Sequence, residues 1–297
     1  MFILPLIVIV ASLELLLRNI PNDYSYKRTY LEKNSNKIET LILGSSHSYR
    51  GVNPQYFSSN TFNLAHVSQT LEYDYKLLMK YKDRLDKLET IYLSVSYFTY
   101  WSKLADGIEF WRSKNYQIYY DIGGDGAVTD YSELFSNKLK TSTQRIVNFI
   151  KNRKSEINCN FYGCGLRSKP IDYLSLNKSG ILAAKRHTID NIDTKKYREI
   201  FKDNISIVSE ILSWSKQRNI KVILFTPPAH ESYRINLKFE QLEATIKSSI
   251  KFELEYVNCS YYNFIDDESF EVKDFYDADH LSEIGAKKLS VKLNSLN

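Results

Sequence analysis

Short apolar runs typical of buried strands alternate with longer helical patterns along most of this chain. Four runs of strand type are Ile38–Leu43, Thr90–Val95, Val222–Phe225 and Tyr261–Ile265. Apolar residues recur at helical spacing in the segments 70–85, 197–217, 237–251 and 282–293. Strands covered on both faces read as continuous apolar runs, and the helices between them supply parallel crossovers. The alternation therefore predicts an α/β fold with three layers, a central parallel sheet between two layers of helices.

The same alternation predicts how the chain is organised. A length of 297 residues suits a single α/β domain with a sizeable insertion better than two full domains. We expect residues 1–20 to form a hydrophobic segment, residues 21–37 a polar tether, and residues 38–297 the globular domain. Between about residues 97 and 193 the alternation fails, which predicts an insertion. Insertions of this kind often cover the edge of an active site.

The composition excludes several classes of protein. Hydrophobic residues make up 43% and charged residues 25% of the chain, which supports a packed core and an ordinary soluble surface. The mean hydropathy of −0.37 excludes a protein with many membrane spans. The net charge of +5 reflects 40 basic against 35 acidic residues spread along the chain. Because no basic block stands out, we predict no nucleic-acid partner.

The N-terminal segment Phe2–Leu17 is almost continuously apolar, interrupted by Glu14 and followed by Arg18. At about 1.5 Å per residue, it is slightly short for a hydrocarbon core of about 30 Å. No basic region precedes it, and no clean cleavage site for a signal peptidase follows it. The preferred interpretation is a single membrane anchor within residues 1–18. A cleaved signal peptide and a buried structural helix stay open as alternatives.

The three cysteines are Cys159, Cys164 and Cys259. Cys159 and Cys164 bracket the sequence NFYG, close enough to form a small disulfide ring. Two interpretations stay open, a local disulfide in an oxidising compartment or three reduced thiols. A zinc site would need more ligands nearby, and the sequence has no Cys-x-x-Cys or His-x-x-x-His pair. We therefore predict no metal and no cofactor.

The segment Leu41–Ser48, with the sequence LILGSSHS, indicates a hydroxyl nucleophile. A buried strand runs directly into Gly44, Ser45 and Ser46, which places a serine at a strand-to-helix turn. In open α/β sheets, the carboxyl ends of the strands are where ligands bind. The same turn aims backbone N–H groups at the place where an oxyanion would form. A phosphate-binding loop would carry more glycines and a lysine, and both are missing here.

The segment Phe275–Ala286, with the sequence FYDADHLSEIGA, indicates a base and its carboxylate partner. A serine nucleophile needs an imidazole base whose tautomer is fixed by an acceptor, and Asp277 lies three residues before His280. We expect Asp279, next to His280, to stabilise the turn. A metal site of Asp277, Asp279 and His280 is an alternative, although ligands on one tight loop seldom converge. Together with the serine turn, this segment predicts a Ser-His-Asp triad.

With these motifs in this order, the chain resembles the SGNH/GDSL hydrolase superfamily. The resemblance implies an α/β/α hydrolase domain over residues 38–297. It implies Ser46 as the nucleophile, His280 as the base and Asp277 as the acid that orients it. The turn GSSH behind an apolar segment is similar to an extracytoplasmic branch of the superfamily that is linked to modification of surface polysaccharides. That similarity predicts a protein of the cell membrane whose catalytic domain lies outside the cytoplasm.

Charge and resemblance predict opposite orientations for the N-terminal segment. Arg18, Lys27 and Arg28 all follow the apolar run. By the rule that basic residues stay on the cytoplasmic side, they would keep the globular domain inside the cell. We prefer the extracytoplasmic orientation that the resemblance implies.

The middle motifs of the superfamily match less well. The sequence NLAHVSQ, which begins at Asn63, occupies the place where a glycine N–H usually contributes to the oxyanion hole. Alignment on Asn63 places Ser68 or Ala65 there, and either backbone N–H can still donate. Asn63 is itself a predicted oxyanion or substrate-binding residue. The sequence LSVS, which ends at Ser96, lacks the expected asparagine, and the Ser96 hydroxyl is a substitute donor. Loss of one oxyanion donor costs roughly 2.7–4 kcal/mol of transition-state stabilisation.

The other four histidines differ in where the sequence places them. His66 lies within the sequence NLAHVSQ, where it could border the site. His230 follows the strand Val222–Phe225, at the edge where ligands bind, and we predict that it contacts substrate. His47 follows the nucleophile, where it shapes the pocket or serves in packing. His187 has basic neighbours, which predicts a surface position.

The sequence thus predicts a serine-dependent acyl-ester hydrolase that acts on acetyl or other acyl esters of a carbohydrate. One alternative is an O-acyltransferase of surface-polysaccharide modification that uses the same triad. A second is a catalytically inactive scaffold, suggested by the missing glycine and asparagine, and a third is a metal-dependent phosphoesterase. The predicted partners are an acylated carbohydrate or another small ester, the membrane through residues 1–18, and a membrane acyltransferase.

Overall fold

A computed structural model of the chain describes residues 3–123, 131–165, 169–170 and 172–296. The centre is a parallel sheet of β1 (Thr40–Leu43), β2 (Thr61–Asn63), β3 (Thr90–Ser94), β4 (Lys221–Thr226) and β5 (Cys259–Asn263). The strand order is β2-β1-β3-β4-β5, and every neighbouring pair is parallel. An antiparallel pair before the last helix consists of β6 (Phe275–Asp277) and β7 (His280–Leu281). The predicted α/β fold with a central parallel sheet is confirmed.

Helices connect and cover the strands. In chain order they are α1 (Ile3–Arg18), α2 (Asp23–Asn34), α3 (Ser46–Gly51), α4 (Leu71–Tyr81), α5 (Leu139–Asn152), α6 (Tyr173–His187), α7 (Lys195–Gln217), α8 (Glu231–Arg234), α9 (Phe239–Glu255) and α10 (Glu283–Asn294). A short helical turn, Ser113–Asn115, and several 3-10 turns lie between them. Each of the four helical patterns in the sequence coincides with one helix, α4, α7, α9 or α10.

The sheet is buried on both faces, as the continuous apolar runs require. On one face, Ile42, Tyr92 and Ile223 belong to a core cluster that also contains Leu289 and Leu293 of α10. Full burial of a leucine side chain stabilises a fold by about 1.5–3 kcal/mol. These contacts fix α10 against the sheet, and they thereby fix the position of the hairpin β6–β7 that precedes it.

Strand β2 is the one strand of the sheet that the sequence pattern does not reveal. Its sequence is TFN, with Phe62 as the single apolar residue. It lies at the edge of the sheet and pairs with β1. The N–H of Asn63 donates to the carbonyl of Tyr162 at 2.9 Å, on a loop within the predicted insertion. A short polar strand at the edge of a sheet is held in place by hydrogen bonds to such neighbours. These contacts leave no periodic pattern in the sequence.

The chain divides into two compact units. One contains Asn34–Lys103 and Cys159–Asn297, and the other contains Met1–Lys33 and Leu104–Asn158. Only the central part of the predicted insertion therefore belongs to a separate unit, together with the N-terminal residues. The predicted tether at residues 21–37 contains helix α2, whose residues Tyr24, Lys27 and Leu31 are buried.

The N-terminal apolar segment forms helix α1, and Met1 and Phe2, which precede this helix, lie outside the described part of the chain. Among the described residues, no helix is both long and apolar enough to cross a membrane. The carboxylate of Glu14 accepts hydrogen bonds from the N–H groups of Glu133 (3.0 Å) and Leu134 (2.9 Å) and from the hydroxyl of Ser132 (2.7 Å). These bonds account for an acidic residue within the apolar run.

Candidate active site

Ser46 lies at a sharp turn where β1 ends and α3 begins. Gly44 has φ = 119°, and α3 begins at Ser46 with Ser45 as its N-cap. A Cβ on Gly44 would lie 2.2 Å from Oγ of Ser94, so only glycine fits this approach to β3. The carboxylate of Asp74, buried in α4, accepts a hydrogen bond of 2.7 Å from the N–H of Gly44. The turn therefore holds Ser46, half-buried, at the carboxyl edge of the sheet.

We expect Gly44→Ala to lower the free energy of unfolding by at least about 2 kcal/mol, because the new Cβ adds both backbone strain and a clash. Gly51→Ala is the matched control, since a Cβ at the end of the same helix meets nothing nearer than 3.5 Å. Its effect should stay below about 1 kcal/mol. Urea unfolding of both variants checks this, and equal losses would contradict the account of the turn.

Ser46, His280 and Asp277 form a continuous chain of hydrogen bonds. Oγ of Ser46 lies 2.8 Å from Nε2 of His280. Nδ1 of His280 lies 2.9 Å and 3.1 Å from the two carboxylate oxygens of Asp277. Because a carboxylate faces Nδ1, that nitrogen carries the proton, and Nε2 accepts the Ser46 hydroxyl. The structure thus brings together the three residues that the sequence predicts as a triad.

The hairpin β6–β7 holds the base and its acid in register. Asp277 and His280 are paired residues of the two strands, and one oxygen of Asp277 also accepts the backbone N–H of His280 at 2.8 Å. Ser282 begins the connection to α10, where its hydroxyl caps the helix at the N–H of Gly285 (3.3 Å). The N–H of Ser282 donates to the carbonyl of Asp274 at 2.8 Å. The helix cap and the hairpin therefore form one rigid connection.

A second carboxylate, that of Asp279, lies beside the triad and is 3% exposed. Its oxygens lie 3.6 Å from Nδ1 of His280, 3.4 Å from Nε2 of His47 and 3.3 Å from a terminal nitrogen of Arg186. Nδ1 of His187 is 3.9 Å away. Burial alone would raise the pKa of Asp279, but His280 and His47 hold it well below its usual range. The turn residue predicted from the sequence is thus the centre of an ionic network.

The two carboxylates act together on His280. Burial alone lowers the pKa of His280 because it penalises the imidazolium ion. The negative charge of Asp279 and the hydrogen bond and charge of Asp277 outweigh this effect, and the pKa is raised above its ordinary value. His280 is therefore a stronger base than a free imidazole.

His47 links Asp279 to Ser96. Its Nδ1 lies 2.7 Å from Oγ of Ser96. Because ionised Asp279 faces Nε2, this nitrogen carries the proton and Nδ1 accepts the Ser96 hydroxyl. Burial lowers the pKa of His47, which keeps the ring neutral. The Ser96 hydroxyl, predicted from the sequence as an oxyanion donor, thus donates to His47, while the Ser96 N–H donates to the Thr99 hydroxyl at 2.9 Å.

The side chain of Asn63 holds the C-terminal end of helix α3 through hydrogen bonds. Its amide nitrogen donates to the carbonyls of Ser48 (2.8 Å) and Val52 (2.7 Å), and its oxygen accepts the N–H of Ala65 at 3.0 Å. The backbone N–H of Ala65 already donates to the side chain of Asn63. Ser68 is therefore the better of the two predicted positions for an oxyanion donor. Ser68 has φ = 59°, a left-handed backbone that is rare for serine and concentrates at functional sites.

His230 follows β4 as expected, but its side chain serves the fold. Its Nδ1 accepts the backbone N–H of Ser232 at 3.2 Å, and this bond caps α8. The Ser232 hydroxyl lies 2.9 Å from the same nitrogen. The ring borders a cavity of about 370 Å³, whose described lining does not include Ser46, Asp277 or His280. A contact of His230 with substrate stays a prediction.

The predicted surface position of His187 is wrong. Its Nδ1 lies 2.9 Å from the hydroxyl of Tyr233, and its ring centroid is 4.3 Å from that of Phe98. Burial lowers the pKa of His187 to about 3, so the ring is neutral. The signal that could have placed it is helical spacing, because Ala183 and Ala184, one turn earlier in α6, are buried.

Within the described residues, His47, Asp279 and His280 form a group that could hold a metal ion, with donor atoms within 4.8 Å of one another. The guanidinium of Arg186 already lies against Asp279, and Asp277 already engages His280. A positive charge at a ligand carboxylate opposes a bound cation. These contacts fit an ionic network better than a metal site. All three cysteines are buried, and none of them forms a disulfide bond.

Comparison with known proteins gives a distant likeness. No protein family and no curated protein matches the sequence. A solved structure from Streptococcus pneumonia, provisionally named a platelet activating factor, is 11% identical with a TM-score of 0.44, over 99% of this chain and 97% of its own. A second, from Bacteroides fragilis NCTC 9343 and provisionally named an acylhydrolase, is 10% identical with a TM-score of 0.39, over 90% and 94%.

Proposed function

We propose that this protein is a serine-dependent acyl-ester hydrolase of the SGNH type that removes acetyl or other acyl groups from a carbohydrate. The observation that carries the proposal is the relay from Ser46 to His280 at 2.8 Å and from His280 to Asp277 at 2.9 Å. An activated serine nucleophile requires this arrangement at an accessible edge. The carbohydrate substrate rests on the resemblance of the GSSH turn to enzymes of polysaccharide modification.

In the first half of the reaction, Oγ of Ser46 attacks the carbonyl carbon of the ester while its proton passes to Nε2 of His280. The oxyanion that forms is assigned to the backbone N–H of Ser46, at the first turn of α3, and to the turn at Ser68. When the tetrahedral intermediate collapses, His280 returns the proton to the leaving sugar hydroxyl. Ser46 then carries the acyl group. In the second half, His280 takes a proton from a water that attacks the acyl carbon. When the bond from this carbon to Oγ of Ser46 breaks, His280 returns the proton to Oγ, and the free acid leaves.

Asp279 contributes to both halves because the imidazolium of His280 forms next to it. Asp277 fixes the tautomer by a direct hydrogen bond, whereas Asp279 acts through its charge at 3.6 Å. His47, Arg186 and Asp279 hold one another in place, so this charge needs no reorganisation during the reaction.

The proposal is tested by acetate release from an acetylated model ester and from acetylated saccharides, with the purified full chain. We expect turnover above buffer that a metal chelator leaves unchanged. Transfer of the acetyl group to an added sugar, with little acetate released, would reassign the protein as an O-acyltransferase. Turnover equal to buffer by the folded protein would overturn the proposal in favour of an inactive scaffold.

A further inference from the structure

The unit formed by Met1–Lys33 and Leu104–Asn158 has a cavity of its own. Its volume is about 320 Å³, within the range of about 300–1,000 Å³ that is usual for pockets that hold small molecules. The residues found in its lining are aromatic, charged or polar, and they come from both segments of the unit. The proposed esterase chemistry uses none of the residues in its described lining.

The charged groups in the described lining of this cavity already have partners. Arg112 pairs with Glu109, outside the lining, and Asp23 accepts the backbone N–H of Asn158. Glu133, 1% exposed, accepts hydrogen bonds from Lys114 (2.9 Å), Arg145 (2.7 Å) and the hydroxyl of Tyr119 (2.8 Å). Arg145 also bonds to Glu156 at 2.8 Å. The described lining holds three acidic and three basic residues, so it has no net charge. An ionic ligand would have to break existing pairs, which makes a neutral ligand the better fit.

The cavity nevertheless offers hydrogen bonds of both kinds. Asn158 and Thr141 line it with exposed side chains, and Asn115 lines it deeper in the unit. Asn158 donates one N–H to the carbonyl of Glu156 at 2.9 Å. A carboxamide has two donor hydrogens and an acceptor oxygen, so bonding capacity is left for a ligand. Ligand hydroxyl groups, which both donate and accept, match such a lining.

Two aromatic side chains complete the lining. Tyr24 is buried among other rings, with centroids 5.3 Å from Tyr116 and 6.4 Å from Tyr119, so its position is fixed. Trp111 is 42% exposed, and the guanidinium of Arg112 lies 4.5 Å from its ring centre. An exposed indole beside a polar cavity offers a flat apolar surface for a ligand with a C–H face.

We infer that this cavity binds a neutral carbohydrate, a short saccharide whose hydroxyls bond to Asn158, Thr141 and Asn115 and whose C–H face packs on Trp111. A saccharide has many hydroxyl groups, no charge and flat apolar faces. These three properties match the hydrogen-bonding side chains, the zero net charge and the exposed indole of the lining. The inference goes beyond the proposed esterase and does not depend on it, because the site contains none of the triad residues.

The test is isothermal titration of the full chain carrying Ser46→Ala, which prevents turnover of any ligand. The probes are maltotriose and chitotriose as neutral saccharides and trigalacturonate as a charged one. We expect at least one neutral saccharide to bind, and Trp111→Leu to weaken that binding by about tenfold through loss of the stacked surface. Trp214→Leu is the matched control. Like Trp111, Trp214 has an arginine guanidinium over its ring, that of Arg218 at 5.3 Å from the ring centroid, but it belongs to the other unit. It should leave the affinity unchanged.

Three results would overturn the inference. The first is no binding of either neutral saccharide to protein whose circular dichroism shows it folded. The second is binding of trigalacturonate alone. The third is binding that Trp214→Leu weakens as much as Trp111→Leu does, or that Trp111→Leu leaves unchanged. The titration measures binding by the Ser46→Ala variant and requires no esterase activity. Each of these outcomes can therefore be interpreted even if the esterase proposal fails.

Discussion

Ser46→Ala and His280→Ala are each expected to lower kcat for ester hydrolysis by at least about 10⁴-fold. The first removes the atom that attacks the ester, and the second removes the base 2.8 Å from it. Because the two side chains act as one unit, the double variant should be no slower than either single variant. Initial rates of acetate release, at matched protein concentration and with folding confirmed by circular dichroism, measure the effect.

Ser48→Ala is the matched control for this experiment. Ser48 belongs to the same helix α3, and its buried hydroxyl has no hydrogen-bond partner among the residues that the structure describes. Its removal should change kcat by less than about threefold, because no transition-state contact is lost. A loss in Ser48→Ala as large as that in Ser46→Ala would mean that the helix tolerates no change, and the nucleophile assignment would fail.

The second large effect concerns the two carboxylates next to His280. Asp277→Asn should lower kcat by about 10³- to 10⁴-fold, because an amide group facing Nδ1 favours the wrong tautomer. Asp279→Asn should act differently, through charge. Loss of its negative charge lowers the pKa of His280, which the charge raises in the native protein. Since the neutral base is the active form, the acidic limb of kcat/KM should move to lower pH.

The pH profile separates this role of Asp279 from simple structural damage. In the native protein, the acidic limb should have its midpoint above the ordinary histidine pKa of about 6.5. Asp190→Asn is the control, because Asp190 is fully exposed in the loop that follows α6, and it should leave the midpoint unchanged. A midpoint that stays in place or rises in Asp279→Asn would contradict the role assigned to this carboxylate.

The parts of the fold that the sequence reveals are those with local patterns. The runs at β1, β3 and β4 are apolar because both faces of the sheet are covered there, and that pattern is visible in a single sequence. Strand β5 is only partly buried, and the predicted run Tyr261–Ile265 overlaps its C-terminal part. Strand β2 and helix α2 are different, because their polar residues acquire a structure only from distant neighbours. The N-terminal residues and Leu104–Asn158 form one unit through contacts such as Glu14 with Glu133, and no periodicity encodes such pairs.

The same division holds in the candidate site. Ser46, Asp277 and His280 are predictable because each belongs to a short motif with a chemical reason for its spacing. Asp279 and His187 are not, since their roles depend on burial and on side chains from several elements that meet at one point. Asp279 lies at the tip of a hairpin, where an aspartate normally faces solvent. Its burial among basic side chains is a tertiary property.

The most direct test of the central claim is labelling of the native full chain with a fluorophosphonate, followed by mass-spectrometric mapping of the modified peptide. Such a probe reacts with a serine only when a neighbouring base activates it. The account predicts one adduct, on Ser46, absent in Ser46→Ala and formed much more slowly in His280→Ala. Folded protein that gains no adduct, or gains it at another residue, would contradict the assignment of Ser46 as the nucleophile.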